Sequence, residues 1–459
     1  MSHYFWVATG SLLFTVGLIL TAKKPFFLMA MSTVRLLDMM LNTSIDENEK
    51  TTHLIKRLSS LLLWLAVFLS TLGLLFFGFY GLLYVVNNSS LEELYAQDYS
   101  SYKFIVALSV GGGIPLLFWP KAQGDYSDWS KLFHRLILDH YQVGKVLFSL
   151  DKAIFLKKNN LNPQFVIVSG LARSGTTALM QMLNDQDRFS SLSYANMPML
   201  MGTRIWKIFY SPKNTRLQER HHKDQMKHSL NSAEAFDEYF FKVHLEDKYI
   251  SDGHLDLHDL SDDTYHQYLL YQNLVAPNRQ TYLVKNNNLI LRYESLRKHN
   301  KDFKVILMYR EPMEHASSLL QQHKNFLTLQ KKEPFALEYM DWLGHHEFGL
   351  HHKPFRLSKL ERKFADPDTL EYWLALWVEY YSYLLKFGDD QNLLFVHYQD
   401  FLEDTHKVEK TIFNWIGIES RSKNREKFLK NKQDMDLTAD VQLSEEATEV
   451  YHLLRQINP

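Results

Sequence analysis

Twenty-eight consecutive residues, Ser59–Val86, carry no charge and are almost all apolar. Hydrocarbon offers no water to satisfy peptide groups, so such a run folds as a helix whose hydrogen bonds close internally. About 20 apolar residues span a bilayer core, and this run is long enough with tilt to spare. Two further uncharged runs flank it, Tyr4–Ala22 and Phe104–Trp119. The first just meets the length for a span. It lacks a basic stretch ahead of it and a good cleavage context, so it does not read as a removable signal. The last is short and carries Gly111-Gly112-Gly113 and Pro115, so it either crosses or is re-entrant, a helix broken at the glycines.

Flanking charge sets orientation. Lys23, Lys24, Arg35, Lys56 and Arg57 lie between the first two runs, and Glu92, Glu93 and Asp98 follow the second. Lys121, Lys131 and Arg135 follow the third. The expectation is a multi-pass protein of a bacterial inner membrane, its N-terminus outside and everything beyond residue 120 cytoplasmic. A third run that does not cross would reverse the latter. Between the first two runs, Pro25–Leu41 has apolar residues spaced either for a helix lying on the membrane surface or for a plain cytoplasmic helix. The expected organisation is a membrane region over 1–125 with two or three transmembrane helices, a helical connector over 126–160, best marked at Leu136–Lys158, and a third region over 161–459.

A net charge of −1 gives no global basic surface for nucleic acid. Cysteine is absent, which excludes disulfides and favours a reducing compartment. The sequons at Asn42 and Asn87 read as chance. Beyond residue 160, short apolar runs alternate with helical stretches. Phe165–Val168, Tyr282–Val284, Val305–Tyr309 and Leu393–Val396 are strands of a parallel sheet buried on both faces. The expected class is therefore α/β, a P-loop-like three-layer sandwich with a central parallel sheet, preceded by the helical transmembrane region. Ligands of such sheets sit beyond the C-terminal strand ends.

One of those ends reads V-S-G-L-A-R-S-G-T-T over 168–177, ahead of a helical pattern beginning near Thr176. Gly170 and Gly175 have the spacing of a Walker loop and let amide groups approach an anion at a helix N-terminus. The Walker lysine is missing, and Thr176 stands in its place. Arg173 inside the loop provides charge-assisted bonds to a terminal anionic group without a metal, while Ser174, Thr176 and Thr177 add hydroxyls. A short 5′-phosphate bearing one more anionic group, such as a phosphosulfate, fits this loop. A second cluster follows Val305–Tyr309. There Arg310 ends a strand, Glu311-Pro312 follows, and Ser318 lies eight residues on, so turn and helix bring a guanidinium and a hydroxyl to one phosphate.

Taken together these motifs resemble the PAPS-dependent sulfotransferases, and bacterial and tyrosylprotein-type enzymes more than the cytosolic ones with lysine in the loop. Gly170–Thr177 resembles the family's 5′-phosphosulfate loop. Val305–Pro312 with Ser318 resembles its 3′-phosphate motif, with Glu311 where Asp is usual. Tyr282-Leu283-Val284-Lys285-Asn286 is similar to its lysine-bearing strand, and Val396-His397-Tyr398-Gln399-Asp400-Phe401 to its late strand ending. The likeness runs over about 161–420 and omits the membrane part. It implies sulfuryl transfer from PAPS, a small-molecule nucleotide donor, to a hydroxyl or amine, with no metal required. The anchor points to membrane lipids as surroundings and to a lipid, sterol or lipid-linked glycan as acceptor.

Such a transfer needs positive charge on the bridging oxygen, which Arg173 and Lys285 suit, and a general base. For the base, Ser232 is positioned to cap a helix that carries Glu234 and Glu238 one turn apart, with Glu234 favoured. His345, His346, His351 and His352 are rivals, either as an acceptor-site wall or, with Glu347, as metal ligands, although the chemistry demands no metal. His315 and His323 read as surface or packing residues, and Trp373, Trp377, Tyr380 and Tyr381 as a core-facing helix stripe. A P-loop nucleotide kinase or NTPase, or a non-catalytic nucleotide-binding membrane scaffold, are the competing readings. The former lacks its lysine and a strand-end aspartate.

Overall fold

A computed structural model describes residues 3–41, 47–87, 102–117, 128–156, 161–210, 218–219, 227–228, 235–277, 280–357, 366–418 and 445–457. The chain divides into two compact units, Met1–Gln142 and Val143–Pro459.

The first unit is helical. α1 (His3–Gly17) passes through a π turn, Leu18–Ala22, into α2 (Lys23–Leu41), and the residues on both sides of the turn keep right-handed helical dihedrals. α1 and α2 therefore form one rod. α3 (Glu47–Asn87) follows, then α4 (Tyr102–Leu117) and α5 (Asp128–Leu138). Two stretches, Tyr4–Met40 of 37 residues and His53–Val86 of 34, are long and apolar enough to cross a membrane. Two expectations change. Pro25–Leu41 is not a separate surface helix. It extends the first rod and packs along α3, with Phe26 5.9 Å from Phe68 and Ser32 Oγ 3.4 Å from Ser60 Oγ. The third apolar run is also not broken at its glycines, since α4 continues through them and Pro115. It lies against α1, where Ser11 Oγ donates to the Leu108 carbonyl at 2.6 Å and Val7, Leu83, Phe104 and Ala107 cluster. A Cβ at Gly111 would stand 2.0 Å from the Ala8 carbonyl oxygen, so small residues let the two backbones touch.

The second unit is entered along α6 (Tyr141–Phe155). Its sheet has the strand order β2-β6-β1-β7-β9, all pairs parallel. β1 (Phe165–Ser169), β6 (Thr281–Lys285), β7 (Lys304–Tyr309) and β9 (Leu393–His397) are the four strands expected from the sequence, and β2 (Phe189–Ser190) adds a two-residue edge. Outside the main sheet, β3 (Gln218–Glu219) pairs with β4 (Lys227–His228), and β5 (Leu255–Asp256) with β8 (Phe355–Arg356). Val166, Val168, Leu283, Ile306 and Met308 bury against Leu179, Met180 and Leu183 of α7 (Thr176–Asn184) and against Phe401, Ile412 and Phe413. Between β2 and β7 come α8 (Thr203–Phe209), α9 (Glu238–Leu245), α10 (Asp262–Val275) and α11 (Tyr293–His299). α12 (Pro312–Lys332), α13 (Pro334–Trp342) and α14 (Leu370–Leu385) follow β7. Trp373, Trp377, Tyr380 and Tyr381 on α14 are fully buried, as core residues.

The register decides what meets at the sheet's C-terminal edge. Val168 pairs with Lys285, Ser169 with Leu307 and Tyr309 with His397. Gly170, Lys285, Arg310 and Tyr398 consequently all lie at the C-terminal ends of neighbouring strands. The ends of β1 and β6 are stitched by Ser169 Oγ donating to the Asn286 carbonyl (2.8 Å) and Asn286 N–H donating to the Val168 carbonyl (3.0 Å).

Candidate active site

The loop after β1 can only be built with glycine at its two hinges. Gly170 has φ +149° and Gly175 has φ +97°. A side chain at Gly170 would strike the Met308 carbonyl at 2.5 Å, and one at Gly175 the Tyr398 ring at 2.4 Å. Between them Arg173 takes φ +70°, a left-handed conformation that a long side chain adopts at a cost of about 1–3 kcal/mol and that clusters at functional sites. α7 starts directly after Gly175, so its free amide groups face the loop.

The second anion cluster lies beside the first. The Arg310 guanidinium donates from Nη1 to the Arg173 carbonyl at 3.3 Å, and Arg173 Nε donates to Ser318 Oγ at 3.4 Å. Arg310 also lies over the Tyr398 ring, 4.6 Å from its centroid. Glu311 accepts from the amides of Met313 and Glu314, starting α12 so that Ser318 falls toward the loop. From β6, Lys285 Nζ reaches Thr177 Oγ1 at 3.0 Å. Arg173, Lys285 and Arg310 thus gather at the tips of adjacent strands, and Arg310 pairs with the half-exposed Glu314 at 3.4 Å.

Two buried polar atoms here, Ser174 Oγ and Arg310 Nε, have no hydrogen-bond partner among the described residues. Buried polar groups are nearly always satisfied, so both donors fit a ligand with acceptor oxygens. His315 plays a part that its sequence position did not reveal. Its Nε2 lies 2.8 Å from the Ala172 carbonyl, which only accepts, so that nitrogen carries the proton. Burial, followed by the nearby Arg310 charge, lowers its pKa to about 3. A neutral imidazole therefore props the loop between two guanidinium groups.

The carboxylates separate into two sets. Glu238 is the first residue of α9 and Ala235–Asp237 are not helical, so no single helix turn joins it to Glu234. Ser232 and Glu234 lie outside the described residues. Glu238 is held by Arg292 through two bonds of 2.6 and 2.7 Å and receives the Tyr249 hydroxyl and the Asn286 amide. Burial works to raise its pKa, but Arg292 outweighs burial and holds it at about 2. Its neighbour Asp237 is sealed by Tyr268, Tyr282 and Asn286, with its pKa raised by burial. A fully paired carboxylate at about 2 is a poor proton acceptor, so Glu238 braces the end of β6 instead.

Glu347 is placed differently. It lines a small cleft with Leu171 and Ala172 of the loop, Leu319, His352 and Trp373. Burial pushes its pKa up, but His345, with Nδ1 3.4 Å away, and then Lys285 hold it below the usual carboxylate value. The other histidines are occupied nearby. His346 faces the His351 carbonyl at 3.1 Å, His351 pairs with Asp341 at 2.6 Å, and His352 Nε2 meets the Tyr372 hydroxyl at 2.6 Å. His323 is buried and takes the Gly349 amide, so it is a packing residue. No group of three or more metal-ligating side chains forms among the described residues.

The sulfotransferase-domain family model matches residues 163–446. The chain belongs to the sulfotransferase family. As a sulfotransferase it is an enzyme, and the matched span holds both anion clusters. Similar solved structures include the sulfotransferase STF1 from Mycobacterium tuberculosis H37Rv (12% identity, covering 79% of this chain and 93% of that one, TM-score 0.37). STF9 from Mycobacterium avium is 12% identical over 65% and 75% of the two chains, with a TM-score of 0.38. The sulfotransferase domain from the curacin biosynthetic pathway is 12% identical over 65% and 100%, with a TM-score of 0.34. No curated protein sequence matches the chain.

Proposed function

We propose that this sulfotransferase moves the sulfuryl group of PAPS to a hydroxyl or amine of a membrane-borne acceptor, a lipid, sterol or lipid-linked glycan. The observation that carries the donor assignment is the meeting of Arg173 with both Arg310 and Ser318, beside unpartnered buried donors on Ser174 and Arg310. In this reading the amides of Gly170–Thr177 with Ser174, Thr176 and Thr177 hold the 5′-phosphosulfate. Arg310 and Ser318 hold the 3′-phosphate. The acceptor oxygen or nitrogen bonds to sulfur as the bond from sulfur to the bridging phosphate oxygen breaks. Lys285 and Arg173 stabilise the charge that collects on that departing oxygen. The acceptor's proton passes to Glu347, which His345 keeps ionised and oriented. Glu347 is chosen because it lines the cleft beside the loop, whereas Glu238 is committed to Arg292 and Glu234, the residue favoured from sequence, lies outside the described residues.

Membrane residence is supported by α3, whose most apolar window has none of its residues buried within the protein. An apolar helix that its neighbours leave this open suits an apolar solvent. α4, paired with α1, is proposed as a third crossing, leaving the catalytic unit cytoplasmic. Protease digestion of intact and opened cells tests this, and a protected N-terminal tag with an exposed C-terminus overturns it.

Calorimetry tests the donor assignment. The expected result is tight binding of PAPS and of its desulfated product, indifferent to Mg²⁺, that is lost in Arg173→Ala and Arg310→Ala. Binding of ATP that requires Mg²⁺ would instead restore the nucleotide-kinase reading. Glu347→Gln is expected to keep binding and lose turnover, and full turnover in that variant discards the base assignment.

A further inference from the structure

We propose that the catalytic unit carries its own bilayer-docking face, formed by α6 and α8, which lays the unit flat on a lipid surface. Along α6, Val146, Leu150 and Ile154 recur every four residues and are 42%, 47% and 60% exposed. On α8 and just after it, Ile208, Phe209 and Tyr210 are 67%, 77% and 36% exposed. The helices adjoin, because Asp151 of α6 accepts from the amides of Arg204 and Ile205 at 2.9 and 2.8 Å and so starts α8.

A soluble surface seldom offers three large apolar side chains in a row on one helix beside another such group. The composition of the face selects a bilayer as the occupant. The exposed residues of α6 and α8 include Lys207 but no carboxylate. The one acid of α6, Asp151, is fully buried at the start of α8. Arg204 lies over Phe155, 5.5 Å from its centroid, an apolar stem with a cationic tip. The Trp206 and Tyr210 rings lie in contact, tilted by 33° with centroids 5.3 Å apart, two residue types that favour the membrane–water boundary. Apolar side chains backed by cations and interfacial aromatics are the pattern of a helix lying in a lipid interface. α6 is also the helix by which the chain enters this unit, shortly after helices apolar enough to cross a membrane.

The inference rests on the membrane residence proposed above, and the test separates the two. The chain has no cysteine, so single labels are clean. Full-length Phe209→Cys and Ile154→Cys, each carrying an environment-sensitive NBD dye, are reconstituted into phosphatidylcholine–phosphatidylglycerol liposomes. Lys298→Cys, an exposed position on α11, is the reference. Expected is a blue-shifted emission, quenched several-fold more by doxyl-labelled lipid than the reference and shielded from iodide. Patch labels that are quenched by iodide as freely as the reference overturn the docking face. So does shielding that persists in detergent and grows with protein concentration, which assigns the patch to a second copy of the chain. Failure of the protein to enter liposomes at all overturns the membrane reading itself.

Discussion

Replacing Arg292 with Met is expected to destabilise the catalytic unit rather than to impair its chemistry selectively. Arg292 is 1% exposed and holds both carboxylate oxygens of Glu238, with its guanidinium 4.0 Å from the Phe241 ring centroid. A carboxyl moved from 4.5 to about 2 has its charged form favoured by about 3 kcal/mol in the fold. Removing one partner strands the other charge without water, and such losses measure about 3–5 kcal/mol. At roughly 2 °C per kcal/mol for a large domain, the melting temperature should fall by on the order of 6–10 °C. Glu238→Gln should fall by a similar amount. The double variant Glu238→Leu/Arg292→Leu should fall by less than the two single losses together, since it leaves neither charge unpaired. Scanning fluorimetry in detergent, with turnover per folded molecule measured in parallel, checks this. If Arg292→Met melts like the parent while turnover collapses, the bracing role is refuted and Glu238 returns to the chemistry.

Gly175→Ala should reduce PAPS affinity at least tenfold in calorimetry, because the added methyl meets the Tyr398 ring and the backbone is left-handed. Lys285→Ala should lower kcat about 10²–10³-fold with nucleotide affinity nearly kept, as for loss of one group that stabilises transition-state charge; an equal loss of affinity would reassign it to binding. Arg310→Ala should cost about 1.5–3 kcal/mol toward the 3′-phosphorylated nucleotide but little toward adenosine 5′-phosphosulfate, a contrast read from paired titrations. Acid should destabilise the fold well above the carboxylate range. His244, His258 and His352 are lowered to about 4 and His315 to about 3, each chiefly by burial. The unfolded chain takes up those protons from 6.5 downward while the fold refuses them, so stability is full above 6.5 and falls steadily toward 4. A melting temperature that is flat between pH 7.5 and 5 would contradict this.

The four long strands were legible because strands buried on both faces are continuous apolar runs, and each is punctuated by a glycine, a lysine, an arginine or a tyrosine at its end. β2 escaped because two residues in a loop between helices carry no period. The glycine loop and Arg310 were legible as anion chemistry, and the register that unites them follows from strand order. What could not be read were pairings across distance. Arg292 lies 54 residues from Glu238, and nothing in N-N-L-I-L-R announces that its arginine is buried. An acidic stretch after Ser232 reads as a helix start, whereas the buried network on Asp237 and Glu238 sets the start at Glu238. His315 sits one turn into α12 and looks like any helical histidine until the loop is placed against it. The helical rod of α1 and α2 was obscured by Lys23 and Lys24, which mark a membrane boundary in sequence but do not stop a helix.

The residue at the crest of the glycine loop belongs to the 5′ cradle and touches the 3′ cradle twice, through its main-chain oxygen and through its side chain. Whatever steadies one cradle must therefore steady the other. Two half-ligands, a sulfated 5′-nucleotide and a free 3′-phosphate mimic, should each bind better in company than alone, and the intact donor should exceed the combined strength of its halves. Selectivity for the whole molecule then requires no extra contact, only a hinge that both ends share.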